Sequence, residues 1–169
     1  PVDVLNLLDT LPNIKEADLN NIFMYGHSMG GIVTLTVLVS TGKIKAATLW
    51  SAVSEDFPEN LLYFIRKRSI PEANAALKKF KRIIGKKNFP KLSPLHYIEN
   101  LHTDLIIHHG TKDDSVPYDW STALCAKLKE NNKSCTFYTY EGDDHNFLKG
   151  NFFRVLERDV EFFKKHLTN

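Results

Sequence analysis

Strand-like and helix-like runs alternate along most of this chain. Four short runs rich in aliphatic, aromatic and β-branched residues are typical of strands, and helical patterns separate and follow them: NIFMYG, AATLWSAV, DLIIHHG and SCTFYTYEG. Because parallel strands need crossover connections, this alternation predicts a mostly parallel sheet with helices on both faces. The predicted fold class is therefore α/β, a three-layer α/β/α sandwich.

The bulk composition narrows the classes of function. A length of 169 residues fits one domain, and a formal net charge of +2 is too small to indicate a nucleic-acid or anionic-membrane partner. No apolar run is long enough to span a bilayer. No histidine or cysteine pair has metal-ligand spacing with a carboxylate partner, so we expect neither a metal nor a cofactor.

The chain contains two cysteines, Cys125 and Cys135. Free cysteine is among the most frequently buried residue types. We therefore expect two buried free thiols, with a disulfide between them as the alternative.

A glycine-flanked serine stands between the first strand and the next helix. The segment from Gly26 to Gly30 matches G-x-S-x-G, in which the central serine projects its hydroxyl from a strand-to-helix turn. Side chains at both outer positions would clash in such a turn, so we expect glycine to be required at each. Ser28 is then a candidate nucleophile, and the Met29 N–H at the helix start is a candidate oxyanion donor. A simple turn is the alternative.

A serine hydroxyl needs a base, and the base needs an orienting acid. Asp113 follows the third strand in HHGTKDDSVP, and His145 follows the fourth in YEGDDHNF. Since the carboxyl ends of parallel strands share one edge of a sheet, we expect both side chains to meet Ser28 there. The chain order Ser, Asp, His is that of the α/β-hydrolases.

Neighbouring residues leave alternatives open. Asp114 competes for the role of the acid. Asp143 and Asp144 precede the candidate base and could raise its pKa, or could form the turn that carries it. His27 occupies a variable position of the motif, and we interpret it as a packing or hydrogen-bonding residue.

Residues 54–95 break the alternation of strands and helices. Two amphipathic helices are predicted there, at about 58–68 and 72–84, in a segment with ten Lys and Arg against four Asp and Glu. This segment is either a solvated helical face or a helical cap over an active site, suited to an anionic substrate or partner. Three apolar residues near strand ends are candidates for a substrate pocket, with core positions as the alternative: Trp50, Val116 and Phe147.

Three motifs together resemble the catalytic domain of prolyl oligopeptidase-like and dienelactone hydrolase-like α/β-hydrolases: YGHSMGG, HHGTKDDSVPYDWS and YTYEGDDHNF. The resemblance extends from about Asn20 to the C-terminus and is weakest in the 54–95 segment. It implies Ser28 as the nucleophile, Asp113 as the acid and His145 as the base, with Asp114 bracing the loop. A dienelactone-type reaction would instead favour cysteine at position 28.

The resemblance also implies an eight-stranded sheet, of which this chain would hold only strands five to eight. Residues 1–169 are thus expected to be the C-terminal part of a catalytic domain without its second oxyanion donor, so that this stretch alone has weak activity or none. The strand at residues 22–25 would have an unpaired edge. We expect the missing N-terminal half of the same hydrolase, a second copy or the first helix to cover it. The compartment stays open: cytoplasmic, or exported if a leader was removed upstream of Pro1.

Two classes of function follow from these residues. The first is a serine hydrolase that cleaves an ester or amide bond of a small-molecule or short-peptide substrate through an acyl-enzyme. This class includes prolyl oligopeptidase-like peptidases, acyl-peptide hydrolases and esterases. The second is a catalytically inactive hydrolase-fold domain used for binding, or an inactive fragment. The presence of Ser28, Asp113 and His145 together favours the first class.

Overall fold

The computed structural model describes residues 1–168, in which four strands form one parallel sheet. The strand order is β1-β2-β3-β4, so each new strand adds to the same side of its predecessor. The predicted parallel sheet is confirmed. The strands are β1 Phe23–His27, β2 Ala46–Trp50, β3 Asp104–Gly110 and β4 Thr136–Tyr140.

The described residues also contain six α-helices. The predicted helices at about 58–68 and 72–84 correspond to the third and fourth of them. The fourth begins where the Ser69 hydroxyl accepts a hydrogen bond from the Glu72 N–H, with a proline in its first turn. The helices are α1 Val2–Thr10, α2 Met29–Ser40, α3 Glu59–Arg68, α4 Ile70–Ile83, α5 Tyr118–Glu130 and α6 Phe152–Lys165.

Alternation of side chains along the strands produces three layers. On one face, α1, α2 and α5 pack against the sheet and form the larger core, which includes Leu35, Leu38, Leu49, Ile107, Leu124 and Leu128. On the other face, α6 contributes Val155 to a smaller cluster with Trp50, Tyr140 and Phe147. The predicted three-layer α/β/α arrangement is confirmed.

A buried carboxylate anchors α6 to the sheet. Asp159 accepts hydrogen bonds from the Thr48 hydroxyl at 2.7 Å and from the Trp50 indole N–H at 2.8 Å. Its Oδ1 also lies 3.0 Å from Nε2 of His108, and burial lowers the pKa of that histidine. Nδ1 of His108 is 2.7 Å from the Tyr140 hydroxyl, which extends the network to β4.

The expectation of two free thiols is wrong, because Cys125 and Cys135 form a disulfide. Cys125 lies on α5 and Cys135 directly precedes β4, and their Cα atoms are 5.7 Å apart, within the range that a disulfide bridges. The return from α5 to β4 brings the two residues together, and the spacing of two cysteines in the sequence does not reveal such a return. The bond ties α5 to the outermost strand.

Strand β1 lies at the other edge of the sheet. It pairs with β2, and no strand pairs with its outer side within residues 1–168. Helix α1 packs into the same core as Ile22 and Met24 but donates no backbone hydrogen bond to β1 in this part of the chain. The outer backbone edge of β1 is therefore unpaired here. None of the described helices combines the length and the apolarity that a membrane span requires.

Candidate active site

Ser28 occupies the turn between β1 and α2 in a conformation unusual for a residue with a side chain. Its φ is 55° and its ψ is −121°, outside the extended conformation of a helix-capping serine. Its backbone is held firmly, because its N–H donates to the Trp50 carbonyl and its carbonyl accepts from the N–H groups of Gly31 and Val53. The hydroxyl makes no capping bond to the helix. Ser28 therefore stands at the N-cap position without capping α2 through its side chain, and its hydroxyl makes no hydrogen bond to the residues that the structure describes.

Two positions near Ser28 have no room for a side chain, and only one of them is among the two that the sequence predicts. A Cβ at Gly26 would overlap the Thr34 hydroxyl and lie 2.6 Å from the Gly30 carbonyl oxygen, as expected. A Cβ at Gly30 would meet no atom within 4 Å, so the expectation of a clash there is wrong. The close approach is instead at Gly31, where a Cβ would overlap the Cβ of Ala52 beyond β2.

Two adjacent alanine substitutions test this reassignment. We expect Gly31→Ala to lower the free energy of unfolding by about 1–3 kcal/mol, because α2 must move away from Ala52. Gly30→Ala is the matched control, with an unchanged or slightly higher free energy of unfolding, because alanine favours helix over glycine by about 1 kcal/mol or less. Urea unfolding of both variants measures the difference. Equal losses of stability in the two variants would contradict the assignment.

The carboxylate of Asp113 accepts a 2.7 Å hydrogen bond at Oδ2 from Nδ1 of His145. Asp113 lies in the loop after β3 and is fully buried, whereas the His145 side chain remains 15% exposed. The backbone N–H of Lys112 donates to the Asp143 carbonyl at 2.9 Å and ties the two loops together. The structure thus brings together two of the three predicted side chains at the carboxyl edge of the sheet.

Several donors surround the Asp113 carboxylate. Oδ1 accepts from the backbone N–H groups of Ser115 at 2.9 Å and Val116 at 2.8 Å. Burial acts to raise the pKa of Asp113, but hydrogen bonds from His109, His145 and the Val116 N–H hold that pKa well below its usual range. Asp113 is therefore a carboxylate at neutral pH and can only accept hydrogen bonds.

Asp114, the competing acid, is exposed and points elsewhere. Its carboxylate accepts a hydrogen bond from the Ser115 hydroxyl at 3.0 Å, and its carbonyl accepts one from the Lys67 ammonium at 3.0 Å. It makes no hydrogen bond to His145 within residues 1–168. Of the two adjacent aspartates, the structure therefore joins Asp113 to the histidine.

Asp143 and Asp144 build the loop that carries His145. The Asp143 carboxylate accepts from the N–H groups of Asp144, Lys149 and Asn151 and from the Asn151 side chain. The Asp144 carboxylate accepts from two further backbone N–H groups of the loop. Of the two alternatives, turn formation is therefore what the structure shows, because both carboxylates are engaged with the loop's own backbone.

His27 supports the same loop from β1. Its Nε2 lies 3.0 Å from the carbonyl oxygen of His145, and the two ring centroids are 4.6 Å apart. Because a carbonyl only accepts, Nε2 of His27 carries the proton. Burial lowers the pKa of His27. The interpretation of His27 as a packing and hydrogen-bonding residue agrees with these contacts.

The expected link between Ser28 and His145 is the part of the arrangement that residues 1–168 do not form. Within residues 1–168 the Ser28 hydroxyl and the His145 imidazole are not hydrogen-bonded, although His27, adjacent to Ser28 in sequence, packs against the imidazole. Such bonds are often long without a substrate. The Met29 N–H, at the start of α2, donates no hydrogen bond to the described residues.

The three candidate pocket residues occupy core positions instead. Trp50 and Phe147 are buried in the cluster beneath α6, where their rings meet edge to face, 5.4 Å apart. Val116 is buried as well, and its backbone holds Asp113. The pocket interpretation is therefore wrong for the side chains as they stand, since apolar residues at strand ends serve the core and a site rim equally well.

Helix α3 reaches the Asp113 loop from the 54–95 segment. Tyr63 and Phe64 pack against Trp120 in the first turn of α5, with centroid distances of 4.9 and 6.0 Å. Lys67 lies over the Tyr63 ring while its ammonium donates to the loop. The 54–95 segment therefore borders the site with a cluster of aromatic side chains and with the basic C-terminal end of α3.

Three further buried residues surround Asp113, and sequence reasoning assigned none of them a role at the acid. His109 and Ser121 form a hydrogen-bonded pair at 2.7 Å. Ser51, with a φ of 44°, places its buried hydroxyl next to the carboxylate and helps to lower its pKa, without an ordinary hydrogen-bond geometry. The available signal was polarity: two histidines, His108 and His109, follow directly after the aliphatic residues 105–107 of β3. Among the described residues, no three His, Cys, Asp or Glu side chains converge as a metal site requires.

Comparison with known proteins agrees with this geometry. Residues 2–169 match the prolyl oligopeptidase family. The chain belongs to that family. It is 25% identical over 167 residues to the uncharacterized peptidase YtmA of Bacillus subtilis, covering 94% of this chain and 59% of YtmA.

Two solved structures of peptidases superpose on most of this prolyl oligopeptidase family chain. One is a puromycin-hydrolyzing peptidase of Mycobacterium tuberculosis, with a TM-score of 0.78 and 25% identity over 98% of this chain. The other is the acylaminoacyl peptidase of Pyrococcus horikoshii, with a TM-score of 0.73 and 25% identity over the same share. The chain spans 25% and 27% of their respective lengths. The chain thus has the α/β fold of part of these hydrolases.

Proposed function

We propose that this chain supplies the nucleophile, base and acid of a serine hydrolase that cleaves a peptide or acyl-peptide bond through an acyl-enzyme. The observation that carries the proposal is the 2.7 Å hydrogen bond between Asp113 and Nδ1 of His145, at the sheet edge where Ser28 projects from its strained turn. The three relatives described above are each named as a peptidase, which favours a peptide substrate over an ester.

The tautomer of His145 suits it to act as a base. Because the Asp113 carboxylate accepts from Nδ1, a neutral His145 carries its proton there and leaves Nε2 free. Nε2 takes the proton of Ser28 as Oγ attacks the substrate carbonyl, and Asp113 stabilises the imidazolium that forms. The Met29 N–H donates to the oxyanion, and His145 then passes its proton to the leaving amine.

Deacylation repeats these roles with water. His145 takes a proton from a water molecule, whose oxygen attacks the acyl carbonyl of the Ser28 ester. The ester bond breaks, and the proton returns to Oγ of Ser28. The only protein groups that change protonation are Ser28 and His145, while Asp113 remains a carboxylate throughout because its pKa is held low.

We further propose that the 54–95 segment acts as a helical cap beside the site. The contacts of Tyr63 and Phe64 with Trp120 place α3 against the loop that holds Asp113. The basic end of α3 would favour acidic substrate groups. A peptide panel that differs only in one acidic or basic residue, tested on Lys67→Ala and the parent, measures this preference as a change in kcat/KM ratio. An unchanged ratio would refute it.

A fluorophosphonate probe tests the central proposal. We expect labelling of the parent protein and none of Ser28→Ala, because the probe reacts with activated serines and position 28 then has no hydroxyl. Turnover of matched peptide anilides and esters is then measured. Both experiments use the full polypeptide that contains this chain. Absence of labelling in the parent would instead favour a hydrolase-fold binding domain, the candidate that the missing Ser28–His145 hydrogen bond supports.

The unpaired edge of β1 motivates a partner proposal. An exposed strand edge pairs readily with another strand, and relatives of this chain are considerably longer. We propose that a strand from elsewhere in the same polypeptide, or from a second copy, pairs with Phe23–His27. Amide hydrogen exchange at these residues should be slower in the full polypeptide than in residues 1–169 alone. Equally fast exchange in both would contradict the pairing.

A further inference from the structure

A second histidine touches the carboxylate that orients His145. His109 is the penultimate residue of β3, and its side chain is fully buried. Its Nε2 lies 3.0 Å from Oδ2 of Asp113 and 3.2 Å from the Val116 carbonyl oxygen. Its Nδ1 lies 2.7 Å from the Ser121 hydroxyl on α5.

The partners of His109 determine its tautomer. A carboxylate and a carbonyl oxygen can only accept, so Nε2 must carry a proton that the two oxygens share. In a neutral ring Nδ1 is then an acceptor, and the Ser121 hydroxyl donates to it. Ser121 itself is buried, which leaves its hydroxyl little alternative to this bond. The result is a chain of hydrogen bonds from Ser121 through His109 to Asp113.

We infer that His109 is a positioning residue for the acid–base pair, an inference that rests on the proposed function of Asp113 and His145. Two backbone N–H groups hold Oδ1 of Asp113, and His109 holds Oδ2 from the inside of the fold. Oδ2 makes its other hydrogen bond to His145, on the loop after β4. The same His109 ring also bonds to the Val116 carbonyl in the loop after β3. His109 therefore fixes both the Asp113 carboxylate and the backbone of the loop that carries it.

The arrangement has a consequence for the base. An N–H donor on Oδ2 withdraws negative charge from the oxygen that faces His145. Removal of that donor leaves Asp113 more basic and stabilises the His145 imidazolium, so the pKa of His145 rises. Since the base must be neutral to accept a proton, the acidic limb of the pH–rate profile then moves to higher pH. Within residues 1–168 the His145 ring also contacts His27, a titratable group that none of these substitutions changes.

Three variants test the inference. His109→Leu removes the Nε2 donor, His109→Gln keeps an N–H in a similar place, and Ser121→Ala removes the hydroxyl that holds the tautomer. We expect His109→Leu to lower kcat about ten- to a hundredfold with KM within about twofold, and to raise the apparent pKa of the acidic limb by about half a unit or more. His109→Gln should restore most of kcat and the parent pH limb. His102→Leu, at an exposed histidine, is the matched control.

One readout separates positioning from packing. An NMR titration of the His145 ring measures its pKa directly in parent, His109→Leu, His109→Gln and Ser121→Ala proteins, without any need for turnover. We expect a raised pKa in His109→Leu, a smaller rise in Ser121→Ala and the parent value in His109→Gln. The same His145 pKa in all four proteins would overturn the inference, even if His109→Leu loses activity through a lower melting temperature.

Failure of the inference is distinguishable from failure of the proposed function. One outcome is that the fluorophosphonate probe labels Ser28 while the pKa of His145 is the same in the parent and in His109→Leu. The proposed hydrolase function then stands and the positioning role of His109 is refuted. If the probe labels nothing but the His145 pKa rises in His109→Leu, the hydrogen-bond chain stands and the proposed hydrolase activity is refuted.

Discussion

Asp113→Asn should lower kcat about 10⁴-fold, with the fold retained. The carboxylate accepts two backbone N–H groups on one oxygen and imidazole N–H groups on the other. An asparagine that keeps its oxygen toward the backbone turns its NH₂ toward His145. That NH₂ favours the tautomer with Nδ1 free and Nε2 protonated, which cannot accept the Ser28 proton. Single-turnover acylation of the full polypeptide measures the loss.

Asp114→Asn is the matched control for this substitution. The residue adjoins Asp113 in sequence, carries the same charge and is exposed, with its carboxylate hydrogen-bonded to Ser115 rather than to His145. We expect kcat within about twofold of the parent. A larger loss in Asp114→Asn than in Asp113→Asn would overturn the assignment of the acid.

The low pKa of Asp113 also predicts a pH dependence of stability. Burial opposes ionisation, but the hydrogen bonds to the carboxylate lower the folded-state pKa below the unfolded value of about 4. A group with a lowered folded-state pKa stabilises the fold above its unfolded pKa, and this stabilisation is lost as pH falls below about 4. Urea unfolding at pH 7 and pH 3 should show a smaller pH dependence in Asp113→Asn than in the parent.

Asp159→Ala should lower the free energy of unfolding by about 3–5 kcal/mol. The substitution leaves the buried Thr48 hydroxyl and Trp50 indole N–H without an acceptor. It also leaves a gap lined by apolar groups beside the imidazole of His108. Each buried donor without a partner costs about 1–3 kcal/mol, against a total stability of about 5–15 kcal/mol for a domain. Urea unfolding monitored by Trp50 fluorescence measures the change.

Glu161→Ala provides the control on the same helix. Glu161 is exposed, and it makes no ion pair within residues 1–168, so we expect a change within about 0.5 kcal/mol. A loss below about 1 kcal/mol in Asp159→Ala would mean that α6 is held by the apolar contacts of its Val155 with the cluster of Trp50, Tyr140 and Phe147 rather than by the carboxylate.

The position of Asp159 was open to prediction from sequence. It recurs with Phe152, Val155 and Phe162 at helical spacing, so a charged residue lies in the apolar stripe of α6. A charge on a buried stripe indicates a buried partner. The identity of the partners could not be predicted, because Thr48 and Trp50 are each more than a hundred residues from Asp159 in the chain and meet it only when α6 folds back over the sheet.

The order of strands and helices, the parallel sheet and the three candidate residues at its carboxyl edge followed from the sequence by itself. These features depend on hydrophobic periodicity and on turn chemistry, which act over a few residues. Tertiary structure alone decided that the two cysteines are bonded and that Gly31 rather than Gly30 is the close contact. Each of these depends on how two loops or helices approach one another across the sheet. A shift of one residue or a few tenths of an ångström changes such a contact while the local pattern of the sequence stays the same.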